Sequence, residues 1–189
     1  MKVLIEDVRL AFPALFEPKS VGDDDAPAYG GRFIIPPGHP AVKQIEAAID
    51  AVAKEKWKDK APIVMEVITE DGKVCFSKKP YKNKKTGEVW EGFEGQYHLG
   101  SRTAGDKPAP NVFDRARRPV TARDGVVYGG CYVDASVDIW AQDNRWGRRI
   151  NATLLGVRFV RHGDAFSGSS PASADDFAER EPTEADDLI

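Results

Sequence analysis

Residues 128 to 161 read YGGCYVDASVDIWAQDNRWGRRINATLLGVRFVR, and this stretch decides the fold. From 131 to 140, buried-type residues alternate with polar or aromatic ones, the period-two pattern of a half-buried β-strand. Residues 143–147 turn the chain, and 148–161 return as a second alternating strand. The alternation changes phase beside Gly156, which predicts a β-bulge there. Two long strands joined by a short loop favour a small antiparallel barrel or sandwich.

Shorter strands are predicted before this hairpin. Residues 2–12 alternate with a phase slip at Glu6-Asp7, which predicts a second bulge, and Pro13 is expected to end the strand. The remaining predicted strands are 29–35, 63–69, 74–76 and 95–103.

One helix stands out between these strands. Pro40 suits the first turn of a helix. Apolar residues then recur at three- and four-residue steps at Val42, Ile45, Ile49 and Val52. The pattern fades over 57–62, so the sequence predicts a mainly β protein with a helical insertion.

Composition limits the class of protein. The chain has 189 residues, of which 41% are hydrophobic, so one globular domain is expected. Its two cysteines cannot form a disulfide framework, which favours a reducing compartment. The first residues lack the pattern of a signal peptide, and no stretch reaches the roughly 18 apolar residues of a membrane span. These features predict a cytoplasmic protein without membrane contact.

The formal net charge of −3 conceals two opposite parts. Residues 164–189 hold eight acids and one base, a net charge of −7, whereas residues 1–163 carry a net charge of +4. The Ser-, Ala-, Pro- and acid-rich composition of 164–189 predicts a disordered tail after a folded domain of residues 1–163. A basic body with an acidic tail is typical of proteins that interact with nucleic acid.

Signatures of enzymes are scarce. The three histidines are isolated, and neither a P-loop nor a nucleophile elbow is present. We therefore predict no catalytic residues, no metal ligands and no cofactor. One enzymatic alternative stays open, because Asp134 and Asp138 alternate on one strand in a pattern that suits a metal-dependent nuclease.

Two clusters combine basic and aromatic residues. Residues 77–118 carry a net charge of +5 with interleaved aromatic residues, and a second cluster surrounds the final hairpin. Cations bind phosphates, and aromatic rings stack on bases of any sequence. The predicted phosphate contacts are Lys78, Lys79, Lys82, Lys84, Lys85, Arg145, Arg148 and Arg149. The predicted stacking residues are Trp90, Phe93, Trp140 and Trp146.

The C-terminal end has its own pattern. It consists of two acids followed by two apolar residues: Asp186, Asp187, Leu188 and Ile189. Such a tip suits a small, basic-rimmed pocket on a partner protein. The acidic part could also cover the chain's own basic surface and compete with DNA.

At this point the sequence resembles known proteins. Bacterial single-stranded-DNA-binding proteins share its architecture of a basic OB-fold body and an acidic tail. It is more similar to a family of phage-encoded single-stranded-DNA-binding proteins. The stretches that carry this similarity are the opening strand with Phe12-Pro13, YGGRFIIPP at 29–37, and 130–166, which ends in GDAF. The resemblance implies an OB-fold-like antiparallel barrel with a helical insertion.

Together these features predict a protein that binds single-stranded DNA without sequence preference during phage replication or recombination. Its partners would be single-stranded DNA and, through the tail, replication or recombination proteins in the cytoplasm of an infected bacterial host. The alternatives are a strand-annealing or recombination mediator, the metal-dependent nuclease, and a phage structural or adaptor protein without DNA affinity.

Overall fold

The computed structural model describes residues 1–20 and 26–166. The strands are β1 (Lys2–Lys19), β2 (Ala28–Ile35), β3 (Phe76–Ser77), β4 (Tyr97–Ala104), β5 (Asn111–Phe113), β6 (Tyr132–Asn144) and β7 (Gly147–Arg161). The helices are α1 (Pro40–Trp57) and α2 (Ala61–Glu70), with short 3₁₀ turns at Lys58–Lys60 and Ala122–Asp124. The predicted mainly β fold with a helical insertion is confirmed.

Within the described residues, all strands belong to one sheet in the order β3-β4-β2-β1-β6-β7-β5. Neighbours are antiparallel except β5, which pairs with β7 in parallel. The sheet curls far enough for β4 to contact β7. Thr103 Oγ1 of β4 donates a hydrogen bond to the carbonyl of Leu154 of β7 at 2.9 Å. This curvature gives the barrel-like shape that the sequence predicts, and the core fills its interior.

Strands β6 and β7 form the long antiparallel hairpin that the alternation predicts, between β1 and β5 in the sheet. Its register runs from Tyr132 opposite Arg161 to Asn144 opposite Gly147. The predicted bulge is present: the register shifts where Ser136 pairs with Gly156 but Val137 pairs with Leu154. The extra residue turns the next part of the strand so that apolar side chains again face the interior.

Strand β1 is longer than the sequence predicts. The predicted bulge at Glu6-Asp7 is confirmed by a register shift and by a φ of 48° at Asp7. The expectation that Pro13 ends the strand is wrong, because Phe12 and Pro13 form a further bulge between Ala11 and Ala14. A bulge leaves a backbone amide unpaired, so proline is tolerated there.

The predicted strand at 63–69 is wrong, since these residues lie in helix α2. The β-branched run concealed a helical spacing in which Ala61, Val64 and Ile68 are buried, while Ile63 and Val67 are exposed. Pro62 lies in the first turn of α2, where proline is compatible with a helix. Packing of the apolar face against the sheet therefore outweighs the strand propensity of the individual residues.

The structure describes the predicted tail only as far as Phe166. Asp164 to Phe166 pack against the body, so the expectation of disorder is wrong for these three residues; the remainder of the tail lies outside the described residues. Neither α1 nor α2 is long and apolar enough to span a membrane, and the same holds throughout residues 1–20 and 26–166.

Candidate nucleic-acid interface

Residues 78–90, here called the arm, form a small projecting hairpin between β3 and β4. Lys82 pairs with Val89 as an antiparallel bridge, and the amide of Trp90 donates to the carbonyl of Tyr81 at 3.0 Å. The turn is closed by Asn83, whose side chain accepts from the amide of Lys85 at 2.8 Å. The lysine-rich segment is therefore held in a defined hairpin.

The arm carries most of the lysines that the sequence predicts as phosphate contacts. Lys78 pairs with Glu46 of α1 at 2.6 Å, which raises the pKa of Lys78 and partly neutralises its charge. The other four are exposed and form no salt bridge within the described part of the chain: Lys79, Lys82, Lys84 and Lys85. Their charges remain available to a polyanion.

An exposed aromatic pair lies at the base of the arm. Trp90 is 37% exposed, and its ring lies 5.2 Å from that of Phe12 in an edge-to-face arrangement. Phe12 is 49% exposed because the bulge in β1 holds it at a φ of 50° and turns its ring outward. Phe12 is not among the stacking residues predicted from the sequence, although its position beside Pro13 was the available signal of a bulge.

Phe93 does not have the role that the sequence predicts. Its ring is fully buried in a small second core with Ala11 and Ile34. A ring without an exposed face cannot stack on a base, so the prediction of Phe93 as a stacking residue is wrong. It supports the exposed pair instead, since it lies parallel to Phe12 with ring centroids 6.2 Å apart.

A half-buried cation packs against Tyr81 of the arm. The guanidinium carbon of Arg32 lies 3.7 Å from the centre of the Tyr81 ring, and Arg32 Nη1 donates to His98 Nδ1 at 2.9 Å. Burial, together with the charge of Arg32, lowers the pKa of His98 to about 4. His98 is therefore neutral near pH 7, and its acceptor nitrogen holds Arg32 against the root of the arm.

The second cluster, here called the tip, comprises residues 140–149 at the end of the β6–β7 hairpin. Trp146 is 75% exposed, and the guanidinium carbon of Arg145 lies 4.8 Å from its ring centre. Trp140 is 40% exposed on β6, where its indole nitrogen donates to Thr153 Oγ1 at 3.0 Å. Both tryptophans therefore present ring surface to solvent, and Trp146 does so beside a cation.

Two arginines complete the tip. Arg148 Nε lies 3.2 Å from Asp143, whose carboxylate also accepts from the indole of Trp57 at 2.8 Å. Arg149 is exposed opposite Gln142 on the paired strand. The tip is thus anchored to the end of α1 while its basic side chains remain at the surface.

The arm and the tip are separate surfaces that begin near one another. No hydrogen bond, ion pair or ring contact joins them within the described residues. Val74, however, forms a parallel bridge with Ile150 at the base of the tip. Lys78 follows four residues later, and four extended residues span at most about 14 Å. The bases of the two surfaces are therefore neighbours in the fold.

Asp134 and Asp138, the candidate metal ligands of a metal-dependent nuclease, each form an ion pair with a cation of the protein. Asp134 is buried, where it accepts from Arg158 Nε at 2.8 Å and from the amide of Asp7 at 2.9 Å. Asp138 pairs with the ammonium group of Met1 at 2.7 Å. Across the described residues, no group of three His, Cys, Asp or Glu side chains is placed to hold a metal ion.

A curled β-sheet with basic and aromatic side chains on projecting hairpins defines the class of OB-fold-like nucleic-acid-binding proteins. The model of the family described as the ssDNA-binding protein of Enterobacter phage Enc34 matches residues 1–189. The chain belongs to this family, which confirms the predicted membership of a phage single-stranded-DNA-binding family.

Similar proteins agree with this assignment. Putative protein p50 of Acyrthosiphon pisum secondary endosymbiont phage 1 is 36% identical over 192 residues, covering 100% of this chain and 99% of p50. The structure of the bacteriophage Enc34 protein in complex with ssDNA has a TM-score of 0.70 at 22% identity, covering 88% of this chain and 89% of that one. Gp2.5 of bacteriophage T7, a single-stranded-DNA-binding protein, has a TM-score of 0.52 at 14% identity, with 93% of each chain covered. The predicted fold class is therefore confirmed.

Proposed function

We propose that this chain binds single-stranded DNA with little sequence preference and protects it during phage replication or recombination. The observation that carries the proposal is the exposed pair Phe12 and Trp90, which lies at the base of an arm with four exposed lysines. Cations beside aromatic rings are the combination that binds single strands, because phosphates and bases are contacted together. Membership of the Enc34 family supports the proposal.

The chemistry of the contacts explains the lack of sequence preference. Every base has a face that can stack on an aromatic ring, and every nucleotide carries the same phosphate charge. Duplex DNA buries its base faces, so it can satisfy the lysines but not the rings. Preference for single strands therefore depends on the exposed rings at Phe12, Trp90, Trp140 and Trp146.

The C-terminal tip has a proposed role that rests on the sequence alone. Asp186, Asp187, Leu188 and Ile189 lie outside the described residues. Their order of acids before apolar residues fits recruitment of replication or recombination proteins through a basic-rimmed apolar pocket. A chain that ends after Ala185 should keep its DNA affinity and lose this recruitment.

Tryptophan fluorescence tests the proposed DNA contact. Oligo(dT) should quench the emission of the full chain, and Trp90→Phe and Trp146→Phe should each reduce the quenched fraction. Trp57 provides the control, since it is only 7% exposed and lies in the core. Its emission should therefore remain in the unquenched fraction when oligo(dT) is added. Emission that oligo(dT) leaves unchanged would overturn the proposal.

A further inference from the structure

Three residues at the start of the acidic segment are built into the body next to the arm. The carbonyl of Asp164 accepts from Arg9 Nη2 at 2.7 Å, and the amide of Phe166 donates to the carbonyl of Gly129 at 3.1 Å. The guanidinium carbon of Arg9 also lies 4.3 Å from the centre of the Phe166 ring. Residues 164–166, here called the clamp, are therefore held by backbone and side-chain contacts together.

Glycines on the body leave room for the clamp. Gly92 has a φ of +82°, and a Cβ atom there would lie 2.7 Å from the Phe166 ring. Gly130 has a φ of +114°, and a Cβ atom there would overlap the carbonyl of Asp164. A side chain at either position would displace the clamp, so the surface of the body is complementary to it.

The clamp contacts the part of the chain that supports the aromatic pair. Phe166 packs against the second core, in which Phe93 is fully buried. The amide of Phe93 donates to the carbonyl of Trp90 at 3.0 Å, so a tight turn connects the buried ring to the exposed one. Gly92 lies inside this turn and touches Phe166 directly. Loss of the Phe166 ring would leave a cavity under the turn that orients Trp90.

We propose that Phe166 is a positioning residue for DNA binding: it fixes the turn at 90–93 and thereby the Phe12–Trp90 pair. This inference rests on the proposed function, because it concerns the same DNA-binding surface. It assigns residues 164–166 to the binding domain rather than to the tail.

Two truncations separate the clamp from the rest of the acidic segment. A chain that ends after Phe166 should bind oligo(dT) at least as tightly as the full chain. A chain that ends after Gly163 should bind about tenfold more weakly, the expected effect of losing one base stack. Equal affinity of the two truncated chains would overturn the inference. If none of the three chains bound DNA, the proposed function itself would fail.

Point variants test the same inference in the full-length protein. Phe166→Ala should weaken DNA binding as the truncation after Gly163 does. Phe166→Tyr should bind DNA as tightly as the unchanged chain, because the ring is retained. Phe16→Ala is the matched control, since Phe16 is a partly buried phenylalanine that packs against the main core instead. It should leave DNA affinity unchanged. Equal losses in the Phe166→Ala and Phe16→Ala variants would indicate general destabilisation and refute a positioning role.

Limited proteolysis gives a readout without DNA. Trypsin cleaves after lysine, and the arm offers Lys82, Lys84 and Lys85. If the clamp holds the arm in place, Phe166→Ala should accelerate cleavage in the arm severalfold, whereas cleavage after the exposed Lys56 of α1 should not change. Unchanged cleavage of the arm would contradict the inference even if DNA binding were weakened.

Discussion

Neutralising four exposed lysines of the arm should weaken DNA binding strongly and make it less sensitive to salt. The variant replaces Lys79, Lys82, Lys84 and Lys85 with glutamine. All four side chains are exposed and form no salt bridge within the described residues, so their loss should not disturb the fold. Each lysine that contacts a phosphate contributes about −0.7 to the slope of log K against log salt concentration on single strands. Four contacts therefore account for about −2.8 of the slope.

The same relation gives the loss of affinity. At 0.1 M salt each contact contributes about fivefold, so the fourfold variant should bind about 600-fold more weakly if all four lysines reach phosphates. Fluorescence anisotropy of labelled oligo(dT) at several salt concentrations measures both quantities. A control variant with glutamine at four lysines of the helical region, Lys43, Lys54, Lys56 and Lys60, makes the same change in net charge. An arm variant that behaves like this control would refute the assignment of the arm.

Three further predictions follow from individual contacts. Phe12→Leu and Trp90→Leu should each weaken oligo(dT) binding about tenfold, because each removes a ring that can stack on a base; unchanged titrations would exclude these rings. The free energy of unfolding should fall as the pH is lowered from about 6.5 toward 4, because unfolded His98 takes up a proton that folded His98, with its pKa of about 4, does not. His98→Gln should flatten this dependence in denaturant titrations, and an unaltered pH profile would contradict it. Asp134→Ala should destabilise the fold by about 3 kcal/mol, since it leaves Arg158 and the amide of Asp7 without their acceptor. Thermal denaturation measures this loss of stability, and a loss well below 1 kcal/mol would contradict the prediction.

The long hairpin was predictable because its information is local. The alternation over 131–140 and the phase slip beside Gly156 specify both strands, their facing sides and the bulge. The helix α1 was equally clear, since its buried positions recur with helical spacing. Where the side-chain pattern matches the period of the backbone conformation, the sequence alone is sufficient to predict the strand or helix.

Helix α2 and the full length of β1 were not predictable in the same way. The run at 63–69 is rich in β-branched residues that favour a strand, and packing of its apolar face against the rest of the fold makes it helical. Pro13 is a strand terminator in isolation, yet the bulge at Phe12 accommodates it within β1. Both outcomes depend on tertiary neighbours that the local sequence does not contain.

Composition predicted which segments carry the exposed basic residues of the candidate site, but it did not predict which aromatic rings face solvent. The exposed basic residues of the arm and the tip lie where the charge pattern placed them, since long cationic side chains are rarely buried. Aromatic residues can be core or surface, so Phe93 was misassigned and Phe12 was missed. The ordered clamp at 164–166 was hidden because acidic and small residues continue without a break into the following segment.

Direct binding of DNA by the full chain is the measurement that tests the central claim. Labelled oligo(dT) and a duplex of equal length would be titrated at 50 and 200 mM salt. The account predicts tight binding of the single strand, weaker binding of the duplex, and a steep loss of affinity at the higher salt concentration. Binding that is absent, that favours the duplex, or that does not respond to salt would contradict it.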